Sequence, residues 1–168
     1  MLTIKPKFEN DIQRNHSTSY PIAIIDNEYY ISTIEEVILS NNEPLNFKDY
    51  SLKISNIKES INIETHSFQI SNLTLTLNNY KQNGTRLSDI LTDKINKPVS
   101  VYYKSQSCET LEDCLLVYTG LIKRNTHDDS IVKITLEDLT DIKLQKEVPV
   151  ANLGFNRNVY NKDYINRP

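Results

Sequence analysis

Residues 51–79, SLKISNIKESINIETHSFQISNLTLTLNN, limit what this chain can fold into more than any other segment. The run contains neither glycine nor proline. Its apolar residues alternate with polar ones in short bursts: Leu52 and Ile54, then Ile61 and Ile63, then Phe68 and Ile70, then Leu73, Leu75 and Leu77. Period-two alternation in residues rich in Ile and Thr is the pattern of half-buried β-strands. Each burst has the opposite parity to the one before, and each such slip moves the apolar set to the other face of the strand. The run reads as one long extended excursion broken by bulges, corners or turns. At roughly 3.3 Å per residue, and doubled into a hairpin, it reaches well beyond a small barrel. A ribbon that leaves its own core needs a neighbour, which points to assembly before catalysis. The residues expected at that subunit interface are Ile57, Lys58, Glu59, Ile61, Ile63 and Phe68.

The rest of the chain continues the β theme. Residues 1–20 are polar and read as an irregular N-terminal arm. Pro21 opens PIAIIDNEYYIST, two short strands around an Asp26-Asn27 turn. Residues 33–39 stay open between a helical turn and a strand, with Thr33 and Glu36 spaced as a capping box. SNNEPLNFKDY reads as a loop with Pro44 as its breaker. Residues 78–84 form a loop in which Gly84 takes a positive φ, and residues 85–91 a short helix. PVSVYYKSQ, CLLVYTGLIKR and IVKITLED are strands, and Gly120 inside the second signals a bulge or a close backbone approach. Residues 125–130 are a hairpin turn, and DLTDIKLQKEV a short helix ended by Pro149. The chain is therefore all-β, with roughly eight strands and one or two helical turns. Residues 21–150 form one domain carrying the ribbon, and 151–168 a C-terminal extension.

Charge excludes several roles. The net charge of −3 comes with both signs interspersed, so there is no basic stripe to neutralise a series of phosphates. The N-terminal MLTIKPKFENDIQRN lacks the apolar core of a signal peptide, and no window holds 18 apolar residues. Folding in a cytoplasm is the expectation. With only Cys108 and Cys114 present, two free thiols are expected rather than a disulfide framework.

Catalytic and metal-binding constellations do not emerge. The three histidines, His16, His66 and His127, lie apart in sequence. The His127-Asp128-Asp129 cluster falls in a hairpin tip, where polar residues are ordinary. Glu109, Glu112 and Asp113 lack the alternating spacing of a calcium loop. Cys108 and Cys114 lack the paired spacing and nearby histidines of a zinc site. Three glycines, far apart, make neither a phosphate-cradling loop nor a nucleophile elbow. No catalytic, cofactor or metal residue is assigned, and the chain is not expected to be an enzyme.

Three segments together resemble the N-terminal region of tail-tip hub proteins of tailed bacteriophages. They are SLKISNIKESINIETHSFQISNLTLTLNNY, the pair KPVSVYYKSQ and CLLVYTGLIKR, and IVKITLEDLTDIKLQKEVP. The resemblance covers about residues 50–150. It implies a tube-type β-barrel with a long protruding hairpin that caps or continues the tail tube and connects it to tip or fibre proteins. It further implies a homo-oligomer, a trimer by preference, whose hairpins meet around a channel. Partners would be the tail tube or distal tail protein and the tip or fibre proteins, with DNA only in transit and no membrane. The location would be the virion, assembled in the host cytoplasm. A mildly acidic balance suits that setting, because it does not trap passing DNA. Residues 160–168 resemble the place where such hubs continue into a further domain. Alternatives are a distal tail adaptor ring with a similar barrel, a tail-associated hydrolase of cell-wall or surface polysaccharide, and a carbohydrate-binding module using the ten tyrosines.

Overall fold

The computed structural model describes residues 4–14, 17–57, 59–62, 67–70, 72–82 and 84–138. A short helix α1 (Pro6–Ile12) precedes strands β1 (Ser19–Ile25), β2 (Tyr29–Ser32), β3 (Glu36–Ser40), β4 (Glu43–Asp49) and β5 (Lys53–Ile54). The ribbon continues as β6 (Glu59–Asn62), β7 (Ser67–Ile70) and β8 (Leu73–Asn78). Helix α2 (Leu87–Leu91) and strands β9 (Pro98–Ser105), β10 (Leu115–His127) and β11 (Ile131–Asp138) follow. Nine strands form one sheet in the order β3-β4-β2-β1-β9-β10-β11-β8-β5, and β6 and β7 form a two-stranded sheet. The fold is all-β, as the alternation predicts; α2 matches the short helix expected over residues 85–91, and the one expected over DLTDIKLQKEV falls on residues 139–148, outside the described residues.

The sheet closes on itself at one residue. β4 runs parallel to β2 through Ile31↔Lys48 and Ser32↔Asp49, and β5 runs antiparallel to β8 through Lys53↔Thr76 and Ile54↔Leu75. Between them the Tyr50 N–H donates to the Ser32 carbonyl at 3.1 Å, and the Tyr50 carbonyl accepts the Asn78 N–H at 2.8 Å. The chain from β4 to β5 is thus one strand that leaves β2 and joins β8. With β2, β1, β9, β10, β11 and β8 it makes a closed barrel of seven strands. Ser51, at φ +50°, turns the corner just after this handover, with its N–H held by Asp49 Oδ1 at 2.7 Å.

Alternation then sorts the side chains. Ala23, Ile25, Leu73, Leu75, Leu77, Val99, Val101, Val132, Ile134 and Leu136 fill the barrel with Tyr50, Leu52 and Tyr118. α2 adds Leu87 and Leu91 to the same core. Its entry is held by the buried Asn79, whose Oδ1 accepts the Ser88 N–H at 3.0 Å while its Nδ2 donates to the Asp128 carbonyl at 2.7 Å. A second, smaller core lies outside the barrel. The β3–β4 hairpin folds back over the outer face of β1, so that Ile38 and Phe47 meet Ile22, Ile24, Cys108, Cys114 and Phe8 of α1.

The structure departs from the sequence reading in two places and decides a third that the sequence leaves open. The described part of the expected N-terminal arm is not irregular: Pro6–Ile12 is helical with Phe8 and Asp11 buried, and β1 already begins at Ser19. Proline at the first helical turn is the usual start signal, and it is present here as Pro6. The SNNEPLNFKDY segment is not a loop but a tight turn followed by β4. Asn41 and Asn42, at φ +48° and +67°, make the two-residue connection between Ser40 and Glu43. Pro44 fits this strand because its partner Leu39 turns its N–H outward to the Glu109 carbonyl, so that pair exchanges no hydrogen bond across the ladder. Residues 33–39, left open between helix and strand, lead into β3. The Asp26-Asn27 turn (φ +54° at both) and Gly84 (φ +86°) stand as expected.

Gly120 sits between two register shifts of β10, one at Leu116/Tyr118 and one at Ile122/Arg124. Its φ is ordinary and its role is space. A Cβ there would strike the Glu137 carbonyl oxygen and stand 2.8 Å from Tyr118 Cε1. Gly120→Val is expected to cost about 1–3 kcal/mol through overpacking, read as a lowered midpoint in urea with an unchanged slope. An unchanged midpoint would show that the β10–β11 ladder yields at this point.

Candidate assembly surface

β5 with β8 and β6 with β7 share one antiparallel register. Ile54 pairs with Leu75 and Glu59 with Ile70, five residues further along one strand and five back on the other. Nothing is gained or lost between them, yet the ladder is interrupted. The Ser55 N–H still donates to the Thr74 carbonyl at 2.9 Å, but the Thr74 N–H goes to the Ser55 hydroxyl at 3.0 Å instead of its carbonyl. A side chain has replaced a main-chain acceptor, and β6–β7 beyond it forms a separate two-stranded sheet. Two of the three parity slips of the sequence fall on the two strands at this break. The third falls between β6 and β7.

Of the predicted interface residues, Ile57 is half-buried against the chain's own core, at the root of the hairpin. Glu59 and Ile61 lie on β6 and Phe68 on β7, with Ile61 and Phe68 directly paired. Lys58 and Ile63 lie outside the described residues. The pairing also brings in Ile70, opposite Glu59, which sequence reasoning did not assign to the interface.

A second exposed apolar feature comes from the folded-back hairpin. Ile38 faces inward, so its neighbours face out: Val37 is 60% exposed and Leu39 41%, with Ile34 beside them. Underneath, a polar lock holds the hairpin to the barrel. Glu36 accepts from Tyr20 Oη at 2.8 Å and pairs with Lys104 Nζ at 3.2 Å, both largely out of water.

Four of the acids that suggest chemistry, Glu112, Asp113, Asp128 and Asp129, are held in structural contacts. Glu112 accepts from Ser40 Oγ at 2.8 Å and from the Asn41 N–H, and hydrogen bonds from its own backbone N–H and from Ser40 pull its carboxyl below the ordinary value. Asp113 binds Lys7 Nζ at 2.8 Å, which lowers its pKa in the same direction. Asp128 caps its own turn by accepting the N–H groups of Ser130 and Ile131, and Asp129 pairs with Arg86. His127 lines a shallow surface depression with Thr126, Asp128, Ile131 and Lys133. Among the described residues no group of three or more His, Cys, Asp or Glu is arranged to hold a metal ion. His16 and His66 lie outside the described residues.

The firmest polar anchor was not foreseen from sequence. Asp11, buried at the end of α1, accepts Ser105 Oγ at 2.7 Å, the Ser107 N–H at 2.8 Å and Ser107 Oγ at 2.7 Å. These bonds, that from Ser105 foremost, bring its pKa down to about 2. Together with Phe8 they strap α1 to the β9–β10 loop.

Comparison with known proteins gives a structural neighbour and no family match. No family profile matches the chain, and no curated protein does. The chain is structurally similar to a chain from the virion of a native gene transfer agent particle, with a TM-score of 0.56 at 9% identity. The similarity covers 84% of this chain and 47% of that one, so this chain spans about half the length of its structural neighbour. The two share a fold.

The Asp11 anchor has a pH signature. A carboxyl whose folded pKa lies near 2 stabilises the fold above its unfolded value of about 3.9, and that contribution disappears as the pH falls between the two. Asp11→Asn is expected to lower the melting temperature at pH 7, with the gap from the parent protein closing below about pH 2. A gap that stays constant across this range would remove Asp11 as the anchor.

Proposed function

We propose that this chain is a structural protein of a phage-like virion, and within it a hub at the tail tip that caps or continues the tail tube and joins it to tip or fibre proteins. The observation that carries this reading is the hairpin: β6–β7 is a two-stranded sheet with no third strand among the described residues. Such a hairpin is at best marginally stable alone in water. A chain that maintains one, with Ile61 and Phe68 as a paired apolar position, has a surface to cover. The shared fold with a virion chain supplies the setting. Ile57, Lys58, Glu59, Ile61, Ile63 and Phe68 form the subunit contact in this reading, with Ile70 added by register.

The chain works by contact and turns over no substrate. The acids nearest to a catalytic grouping are engaged in holding α1, the β3–β4 hairpin and two turns. Its partners are copies of itself, three by preference, the tail tube or distal tail protein, and tip or fibre proteins. DNA passes through and no membrane is engaged.

The test is the mass of the purified assembly by light scattering. A trimer supports the hub, a hexamer moves the assignment to a distal tail adaptor, and a monomer at high concentration removes the interface. Ile61→Asp is expected to abolish the oligomer and leave a soluble β-rich monomer. Normal assembly of that variant would show that the ribbon is no interface. Incubation with peptidoglycan or surface polysaccharide is expected to release no fragments. Cleavage lost on changing Glu109, Glu112 or Asp113 to Ala would replace the structural reading with a hydrolase.

A further inference from the structure

The loop between β9 and β10 carries both cysteines of the chain, as buried free thiols of the outer core. Cys108 Sγ lies 3.1 Å from Ser105 Oγ and donates to the carbonyl of Asp113, the residue before Cys114, at 3.4 Å. Cys114 Sγ donates to the Thr110 carbonyl, two residues past Cys108, at 3.5 Å. Each thiol therefore leans across the same single turn, Leu111–Asp113, toward the other's end of it. Cys114 also lines a groove open to the surface, with Lys5, Tyr102, Leu111, Glu112 and Leu116.

We propose that Cys108 and Cys114 are a redox latch: two thiols while the chain folds and assembles, one intramolecular disulfide once the particle meets an oxidising medium. The physiological part of this inference rests on the virion reading, because a virion component passes from a reducing cytoplasm to an oxidising exterior. The oxidant is a low-molecular-weight disulfide entering by the groove. The Cys114 thiolate attacks one of its sulfurs, breaks the S–S bond and expels one small thiolate, which takes up a proton. The Cys108 thiolate then attacks Cys114 Sγ in the mixed disulfide and expels the second. Two protein thiols are oxidised, and one small disulfide is reduced to two thiols.

Burial, followed by the presence of Cys108, pushes the Cys114 thiol up to about 12, against the pull of Lys104 and with the help of Glu36. Its thiolate is scarce at neutral pH, so closure is slow, which leaves time for assembly. The bond would tie the segment on which the outer layer hangs. The Glu109 carbonyl holds the Leu39 N–H, Glu112 holds Ser40, Asp113 holds Lys7, and Ser107 holds Asp11.

The test uses the purified full-length chain and oxidised glutathione at neutral pH, followed by denaturation, alkylation and intact-mass measurement, with melting curves in parallel. The expected product has lost two hydrogens and takes up no alkylating reagent. Its melting temperature should rise by a few degrees, with no such rise for Cys108→Ser or Cys114→Ser treated alike. Three results would overturn the latch: a lasting glutathione adduct on one cysteine, two alkylatable thiols in the folded chain when the urea-unfolded chain closes the bond, or a bond that leaves the melting temperature unchanged or lower. The measurement needs no particle, so a latch that closes in a chain that never oligomerises would fault the virion reading alone.

Discussion

The two peptide groups flanking Tyr50 hold this fold together. One bonds to β2 and the other to β8, so a single residue converts a nine-stranded sheet with two edges into a closed wall. Its ring lies in the core at the same place, fixing the strand from inside as well as along its edge. Without the handover the wall would stay open between Ser32 and Asn78, and an open edge is a template for unwanted pairing. The hairpin leaves the barrel only a few residues further on. Its direction is therefore set by the same closure, and the long ribbon is an outgrowth of the wall rather than an appended element.

The break at Ser55 gives that outgrowth a distinct root. A hydroxyl in the place of a carbonyl keeps the two strands side by side while interrupting the main-chain ladder. Register passes through the break unchanged, but sheet membership does not. In the sequence the apolar residues change parity across the same stretch.

Much of this was legible in the sequence because alternation is a local property. The ribbon, the strands β9 to β11, α2 and the turns at Asp26-Asn27 and Gly84 could all be read from residues within a few positions of one another. What could not be read depended on distant partners. β4 contains a proline and few β-formers, and it is a strand because β3 and β2 flank it. α1 is polar in composition and orders because Ser105 and Ser107, nearly a hundred residues away in sequence, satisfy Asp11. The candidate interface was legible as a ribbon with the wrong parity for one core, whereas the assignment of Ile70 had to wait for the pairing. Acid clusters such as Glu109, Glu112 and Asp113 look the same in sequence whether they bind an ion or brace a hairpin. Only their partners tell the two apart.

The pairing of β1 with β9 bears on how the chain is made. Ser19 lies opposite Ser105 and Ile25 opposite Val99, so β1 leaves the ribosome well before the strand that becomes its long partner. Until then Ile22 and Ile24 have the β3–β4 hairpin to cover one face, while Ala23 and Ile25 face a barrel that has not yet been synthesised. Long-range pairing of this kind slows folding and prolongs the exposure of apolar strands. The folded-back hairpin, local in sequence and complete by Asp49, can therefore act as a temporary cover for one face of β1 until the rest of the wall arrives and Lys104 of β9 completes the polar lock on Glu36.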